Sequence, residues 1–421
     1  MTDSNIMYGL LPYGRRRYGE PLRYVSTGGG GVLPDDKIHY VPGVYTVIAY
    51  DKDGTKTAIF GAGAEENTLE RLTFEMVETG CGAVEMVFRK LPEATELTYR
   101  QRIDIHLYND ARPWYSGYII SRPVEGTTET EYHFKGHGYY NLLEKVIINR
   151  TYKRREVSDI VADIAREVEQ VIGLTFDRNK IVNTAYVVEE ISFDHVTAKE
   201  ALKQLSDFAV NYVYGIDEYR QLYFRPRIDE INEQARLWVG QHLSGYIPAW
   251  DVEKIVNKAY IKGGKVDDLG EQWLATVEDK DSQAKYGTQA AVWTLPSAYD
   301  AADAERWGRN QLERYKGPQQ SAKVAGVILD YPKPSGVFFV RKLSTQGRAA
   351  ITTPRGAVHT YPIKSLKYEV SGKKGITVAM ELGEPPFAVD RYLFGIERDA
   401  KIAELMQQAA TKQLRLAKEV K

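Results

Sequence analysis

Two histidines have the spacing of a pair of metal ligands. His133 and His137 lie four positions apart, which places two imidazoles on the same face when the segment is helical. The residues around them alternate as in a strand, with Gly136 and Gly138 at its exit. Because a strand does not give this spacing the geometry of a helical turn, we interpret both as solvated or hydrogen-bonded histidines and predict no metal site.

A second possible pair is Cys81 with His195. A cysteine and a histidine form a nucleophile and its base only when the fold brings them together. His195 comes just before a predicted helix start at Thr197, so we interpret it as part of that turn. Cys81 is the single cysteine of the chain, which excludes an intrachain disulfide and any site built on several thiolates.

The common catalytic signatures are missing from the sequence. It has no Gly-x-Ser-x-Gly elbow, His-Glu-x-x-His pair, phosphate-binding loop, Cys-x-x-Cys pair or dinucleotide-binding Gly-x-Gly-x-x-Gly context. Carboxylates are so numerous that some pair lies at glycosidase separation by chance, and they decide nothing. We therefore predict a protein that is not an enzyme and binds no cofactor.

Aromatic residues suggest a different kind of function. The chain has 29 tyrosines against 12 phenylalanines, and tyrosine suits broad half-wet surfaces between subunits, although it is also an ordinary strand residue. Trp238, Trp250 and Trp273 would form stacking platforms if the protein bound glycans. The alternative is that these tryptophans lie in the core or in an interface.

Length and composition limit the remaining possibilities. A chain of 421 residues suggests two to four domains, and its 43% apolar content supports sizeable cores. The formal charge of -1 gives no general argument for nucleic acid or an anionic membrane as partner. No run of 18 apolar residues occurs, and the start lacks a signal-peptide core, so we expect cytoplasmic synthesis and no membrane-spanning segment.

Changes in periodicity divide the chain. Residues 1–36 have no sustained period and are interpreted as an extended arm, in which Tyr8, Tyr13, Arg15, Arg16 and Arg17 are candidate partner-binding residues. Residues 37–135 alternate as strands and form the first predicted β domain, with a hairpin over the Asp-Gly turn at 51–54.

Helical spacing then replaces the strand pattern. Residues 136–250 are predicted to form an α/β module with helices from about Ser158 to Gly173 and from Thr197, where Thr197 and Glu200 can form a capping box. Residues 251–385 return to strands, with an inserted helix after Ser297, and form the second predicted β domain.

The end of the chain, residues 386–421, is predicted to be a long helix from about Val389 to Val420. It carries an apolar stripe that needs a partner to bury it. The candidate partner-binding residues of this stripe are Ile402, Leu405, Met406, Ala409, Leu416 and Val420.

The order of several weak motifs resembles that of phage tail hub proteins of the tail tip or baseplate. The resemblance covers about residues 40 to 385 and leaves the arm and the last helix outside. The segments that carry it are Tyr139–Leu143, Ser158–Ala165, Phe193–Leu202, Tyr212–Tyr214, Leu222–Arg227, Ile255–Gly264, Asp281–Gly287 and the helix around Ala301 to Leu312.

This resemblance implies an α+β fold with two antiparallel β barrel or sandwich domains like those of tail tubes. It further implies a homotrimeric ring at the tail tip of a virion, which adapts the six-fold tube to a three-fold tip. Its partners would be the distal tail or tube ring above, a spike or fibre below, the tape-measure protein in the channel, and DNA only in transit. The alternatives are a tail-associated cell-wall lysin and a receptor- or glycan-binding tail protein.

Overall fold

The structure is a computed structural model that describes residues 44–62, 64–124, 131–265, 272–295, 301–332, 338–371 and 375–383. The predicted arm at 1–36 and the predicted helix at 389–420 lie outside the described residues. Within them, no helix is both long and apolar enough to cross a bilayer.

Strands dominate the first part of the chain, as the alternating pattern predicts. The hairpin turn is confirmed: Asp51 Oδ1 accepts hydrogen bonds from the backbone N–H of Asp53 (3.0 Å) and Thr55 (2.8 Å), and Gly54 has a positive φ of 83°. The strands are β1 (Tyr45–Tyr50), β2 (Lys56–Gly61), β3 (Leu69–Val77), β4 (Gly80–Phe88), β5 (Arg102–Leu107), β6 (Tyr115–Ser121) and β7 (Tyr132–Gly138).

The middle of the chain contains both predicted helices. Gly173 ends the first one in the left-handed conformation, and Thr197 Oγ1 accepts from the Glu200 N–H at 3.2 Å at the start of the second. The sequence does not predict the antiparallel pair of strands β8 and β9, which lie before and after the first helix in the chain. The elements are β8 (Ile147–Glu156), α1 (Val157–Ile172), β9 (Val187–Thr197), α2 (Ala198–Ala209), β10 (Tyr212–Ile216), β11 (Leu222–Pro226), β12 (Ile231–Trp238) and β13 (Gly245–Asp251).

The last part returns to strands around one longer helix. The alternation predicts separate strands at 357–363 and 366–370, but the structure has a single strand there, β21. The elements are β14 (Lys258–Lys265), β15 (Gln272–Glu278), α3 (Lys280–Tyr286), β16 (Ala290–Thr294), α4 (Ala301–Tyr315), β17 (Gln319–Val327), β18 (Asp330–Pro332), β19 (Phe338–Val340), β20 (Arg348–Thr352), β21 (Val358–Ser371) and β22 (Gly375–Gly383).

One large sheet joins strands from both ends of the described chain. Its main path runs β13-β17-β22-β21-β3-β4-β7-β6-β5-β1-β2, with antiparallel pairing of β21 to both β22 and β3. The junction is packed by the rings of Phe74 and Tyr368, which stack with centroids 4.7 Å apart and are both fully buried. The early and late β segments are therefore continuous in hydrogen bonding.

The chain folds into two compact units. Of the described residues, the first unit contains those within 44–206, 212–247 and 323–382, and the second contains those within 207–211 and 248–322 together with Gly383. In the second unit a three-stranded sheet of order β15-β14-β16 packs against α4. Gly308 of α4 permits this packing, because a Cβ there would meet Ile261 Cδ1 at 1.9 Å.

A buried asparagine connects the loops of the second unit. Asn257 is fully buried; its Nδ2 donates to Gly287 O (2.7 Å) and Ser282 Oγ (3.3 Å), and its Oδ1 accepts from Gln289 N (2.7 Å). The carboxylate of Asp279 caps α3 by accepting from Ser282 N at 2.9 Å. Two of the segments that carry the resemblance, 255–264 and 281–287, are thus held together through one side chain.

Candidate functional site

The partner-binding residues predicted from the sequence all lie outside the described residues. This applies to the arm residues Tyr8, Tyr13, Arg15, Arg16 and Arg17, and to the helical stripe Ile402, Leu405, Met406, Ala409, Leu416 and Val420. Their roles stay predictions. The described chain contains a different candidate site, which the sequence does not indicate.

Such a site is offered by one face of the large sheet. Cross-strand pairing sets Thr377, Glu369, Thr73, Glu85 and Lys135 side by side on β22, β21, β3, β4 and β7. At about 4.8 Å between strands, this row extends about 19 Å across the sheet. It crosses directly from the late β segment to the early one.

Residues two positions along each strand extend the row, because alternate side chains share one face. Lys367 is paired with Glu75 across β21 and β3, and Arg71 lies two positions before Thr73. We call these residues together the polar sheet face: Arg71, Thr73, Glu75, Glu85, Lys135, Lys367, Glu369 and Thr377.

Alternation between buried and solvent-facing residues along the middle of β3 and the end of β21 positions the polar sheet face. Phe74 and Leu72 on β3, and Tyr368 and Val370 on β21, point to the opposite side and are at most 1% exposed. Because that apolar side is buried, the intervening polar residues lie on the opposite, solvent-facing side of the sheet. On β4, Glu85 likewise lies between two buried residues, although the strand is buried on both faces from Met86 onward.

The charges of the polar sheet face are mixed and largely unpaired. Three carboxylates, at Glu75, Glu85 and Glu369, are interspersed with three cations. Within the part of the chain that the structure describes, none of Arg71, Lys135 and Lys367 has a carboxylate oxygen within 4.0 Å. The surface therefore carries both signs of charge and has no continuous basic track.

One of the histidines considered above lies at the edge of this face. His133 Nδ1 is 3.2 Å from Glu85 Oε1, and its Nε2 is 3.6 Å from Glu131 Oε2. His133 and His137 both belong to β7, so the interpretation of His133 as a hydrogen-bonded strand histidine is confirmed. In the described ranges no three His, Cys, Asp or Glu side chains are grouped to hold a metal ion.

A buried ion pair lies elsewhere in the same sheet, on β5. Asp104, 2% exposed, accepts hydrogen bonds from Ser116 Oγ (2.7 Å) and Arg102 Nε (3.0 Å), and the Arg102 guanidinium lies 4.3 Å from the Tyr50 ring centroid. Burial opposes the charge of Arg102, but its hydrogen bond and attraction to Asp104 leave its pKa raised. Burial also raises the pKa of the nearby Tyr139 to about 12.

The possible nucleophile pair is not assembled. Cys81 is 4% exposed, and its Sγ accepts from Ser116 N at 3.4 Å, whereas His195 is exposed on β9 and contacts Asp194 (2.7 Å) and Asn149 (3.3 Å). Burial raises the pKa of the Cys81 thiol, which removes the thiolate that nucleophilic attack needs.

The exposed tryptophans are the last of the candidates from the sequence. Trp238 and Trp250 are 49% and 61% exposed. Trp238 packs beside His242, with ring centroids 6.2 Å apart. The contacts of the Trp273 side chain lie outside the described part of the structure.

Comparisons with known proteins show the fold. No protein-family model and no curated protein sequence matches this chain. It is similar in structure to the 43 kDa tail protein of prophage MuSo2 from Shewanella oneidensis, with a TM-score of 0.57 and 13% identity over 80% of this chain and 97% of that one.

Two further tail proteins have the same architecture. A tail protein from Neisseria meningitidis MC58 gives a TM-score of 0.54 and 13% identity over 81% of this chain and 96% of the other. The prophage tail protein gp18 from Listeria monocytogenes EGD-e gives a TM-score of 0.53 and 12% identity over 84% of this chain and 99% of the other. The tail-protein fold expected from the sequence is therefore confirmed, as a predominantly antiparallel β fold that these proteins share.

Proposed function

We propose that this chain is a structural, non-enzymatic hub of a bacteriophage tail tip or baseplate. The support is the fold shared with three tail proteins over at least 80% of this chain, together with the resemblance in motif order. The single observation that carries the proposal further is the polar sheet face, which is shared by early and late strands.

A ring around a channel needs subunits with one packed side and one wet side. In the described sheet, β3 and β21 bury their apolar residues on one side and present charged residues on the other. We propose that the polar sheet face lines the channel. In this arrangement the two β segments of each subunit contribute adjacent parts of the wall.

The mixed charge of this face suits a passage better than a binding site. Nucleic acid binds where several cations lie together and displace its counterions. Glu75, Glu85 and Glu369 interrupt the three cations, so passing DNA finds no track to which it would adhere. A tape-measure protein would meet a hydrated surface with no apolar patch.

The subunit number follows from the hub resemblance. Three copies, each with two tube-like β domains at 37–135 and 251–385, would imitate a six-fold ring and match the tail tube above. The α/β module at 136–250 lies between them in sequence. The large sheet ends in β2, which pairs only with β1 in the described chain. We propose that this free edge pairs with a neighbouring subunit.

We propose that the two ends of the chain bind the neighbouring components of the tail tip. The arm at 1–36 would bind a neighbouring component, and the predicted helical stripe from Ile402 to Val420 would bind a spike, a fibre or an adjacent subunit. Deleting residues 389–421 should leave the ring intact and abolish attachment of one neighbouring component. Particles of unchanged tip composition would contradict this assignment.

Localisation and stoichiometry test the proposal. An antibody fragment against this chain, seen by electron microscopy, should label purified particles at one end of the tail, and the purified chain should have the mass of a trimer. The rival functions predict a monomer that either hydrolyses peptidoglycan in a zymogram or binds cell-wall glycan. A monomer with hydrolytic activity would reject the hub proposal.

A further inference from the structure

The second unit exposes a short row of apolar side chains. Pro248 and Trp250 alternate on β13 and so share one face, and Val252 follows directly after the strand; all three are exposed, Trp250 and Val252 to 61% each. A tryptophan and a valine this exposed, and this close together, indicate a surface that another segment covers.

The position of these side chains determines how a partner can approach. β13 is the end strand of its sheet in the described chain. The exposed side chains lie on a face of this strand and not along its hydrogen-bonding edge, so a strand added at the edge would leave them uncovered. A partner that covers the row would instead pack its side chains against the exposed face, as an amphipathic helix does.

The chain itself provides such a segment at short range. The last described residue, Gly383, lies so close to β17 that a Cβ on it would meet Gln320 O at 1.9 Å, and β17 is the neighbour of β13. Measured across the strands, the exit point is thus about two strand spacings, or about 10 Å, from β13. Four extended residues span about 13 Å, so the link from Glu384 to Phe387 is long enough.

The sequence after this link contains two apolar stripes. At about 100° per residue, Val389, Leu393 and Ile396 fall within an arc of about 60° on one side of the predicted helix. Ile402 and Leu405, which belong to the stripe described above, fall on the opposite side. One helix would therefore present its early face to one partner and its later face to another.

We propose that the early face of this helix, Val389, Leu393 and Ile396, covers the Trp250 row of its own chain. A short tether gives the segment an effective concentration of about millimolar, which favours it over a free partner of equal intrinsic affinity. The later stripe then remains available for a second component. This inference does not depend on the tail assignment.

A thiol placed on the row tests the proposal in the full chain. In the Val252→Cys variant the new thiol would react rapidly with a small maleimide if the row were open, whereas the natural Cys81 is 4% exposed and serves as an unreactive background. We expect labelling at least ten-fold slower than in the same chain carrying Leu393→Asp and Ile396→Asp.

The matched control changes the opposite stripe. Ile402→Asp with Leu405→Asp, added to Val252→Cys, should leave the thiol protected. A second readout does not rely on aspartate variants: Val252→Cys with Leu393→Cys should form an intrachain disulfide on oxidation. The proposal would be overturned if the thiol at position 252 reacted equally fast in all three variants, or if its protection were lost when the protein was diluted. It would also be overturned if the disulfide formed only between different chains.

Discussion

Replacing Asn257 with leucine should unfold the second unit locally. The amide makes three hydrogen bonds in a fully buried position, and leucine of similar size can make none. Ser282 Oγ still donates to Lys316 O, at 2.5 Å, but Gly287 C=O and Gln289 N–H lose these side-chain partners. Each buried backbone group left without a hydrogen-bond partner costs about 2 kcal/mol, so we expect the free energy of local unfolding to fall by about 4 kcal/mol.

Hydrogen exchange can measure this loss where it occurs. A loss of about 4 kcal/mol corresponds to about a thousand-fold faster exchange of the amides in β14 and β16, while amides around Tyr368 in the first unit should change little. Gln283→Ala is the control, because it removes a half-buried donor to Asn257 O (3.1 Å) and to the exposed Glu278 Oε2 (3.4 Å) without stranding a buried group, and should cost about 1 kcal/mol. Unchanged exchange in β14 would refute the role assigned to Asn257.

Three further predictions test separate parts of the structure. Burial raises the pKa of Asp330 from 3.8 to about 6, which lowers wild-type stability as pH rises through about 6. Asp330→Asn should therefore stabilise the protein by about 3 kcal/mol at pH 8 and by almost nothing below pH 4, and equal melting shifts at both pH values would contradict this. Cys81 should not react with a thiol reagent until the first unit unfolds, and rapid native labelling would show that its burial is wrong. Changing Glu75, Glu85 and Glu369 together to lysine should create salt-sensitive DNA binding that the matching glutamine variant shows far more weakly, and equal binding by both would argue against the charge pattern as its cause.

Local signals in the sequence predict much of the first β segment. The Asp-Gly turn at 51–54 follows from turn chemistry, the sequence predicts a strand at 69–77 with the bounds that β3 has, and Gly173 marks the end of α1. The β8 strand escapes prediction, because four of its ten residues are basic and only Ile148 and Tyr152 are buried.

Other features depend on pairing between distant parts of the chain. The sequence predicts two strands where β21 forms one, because the alternation shifts at a bulge between Ile363 and Ser365. No local pattern indicates that Glu369 lies beside Thr73, and the polar sheet face exists only through that pairing. The sequence therefore contains the residues of the candidate site without any sign that they belong together.

Three-dimensional averaging of the purified assembly by electron microscopy tests the central claim most directly. We predict a three-fold ring with a pseudo-six-fold upper face, whose channel is lined by the polar sheet face, with Glu369 and Lys135 facing the lumen. A monomer, or a ring in which these residues face outward, would contradict the proposed function.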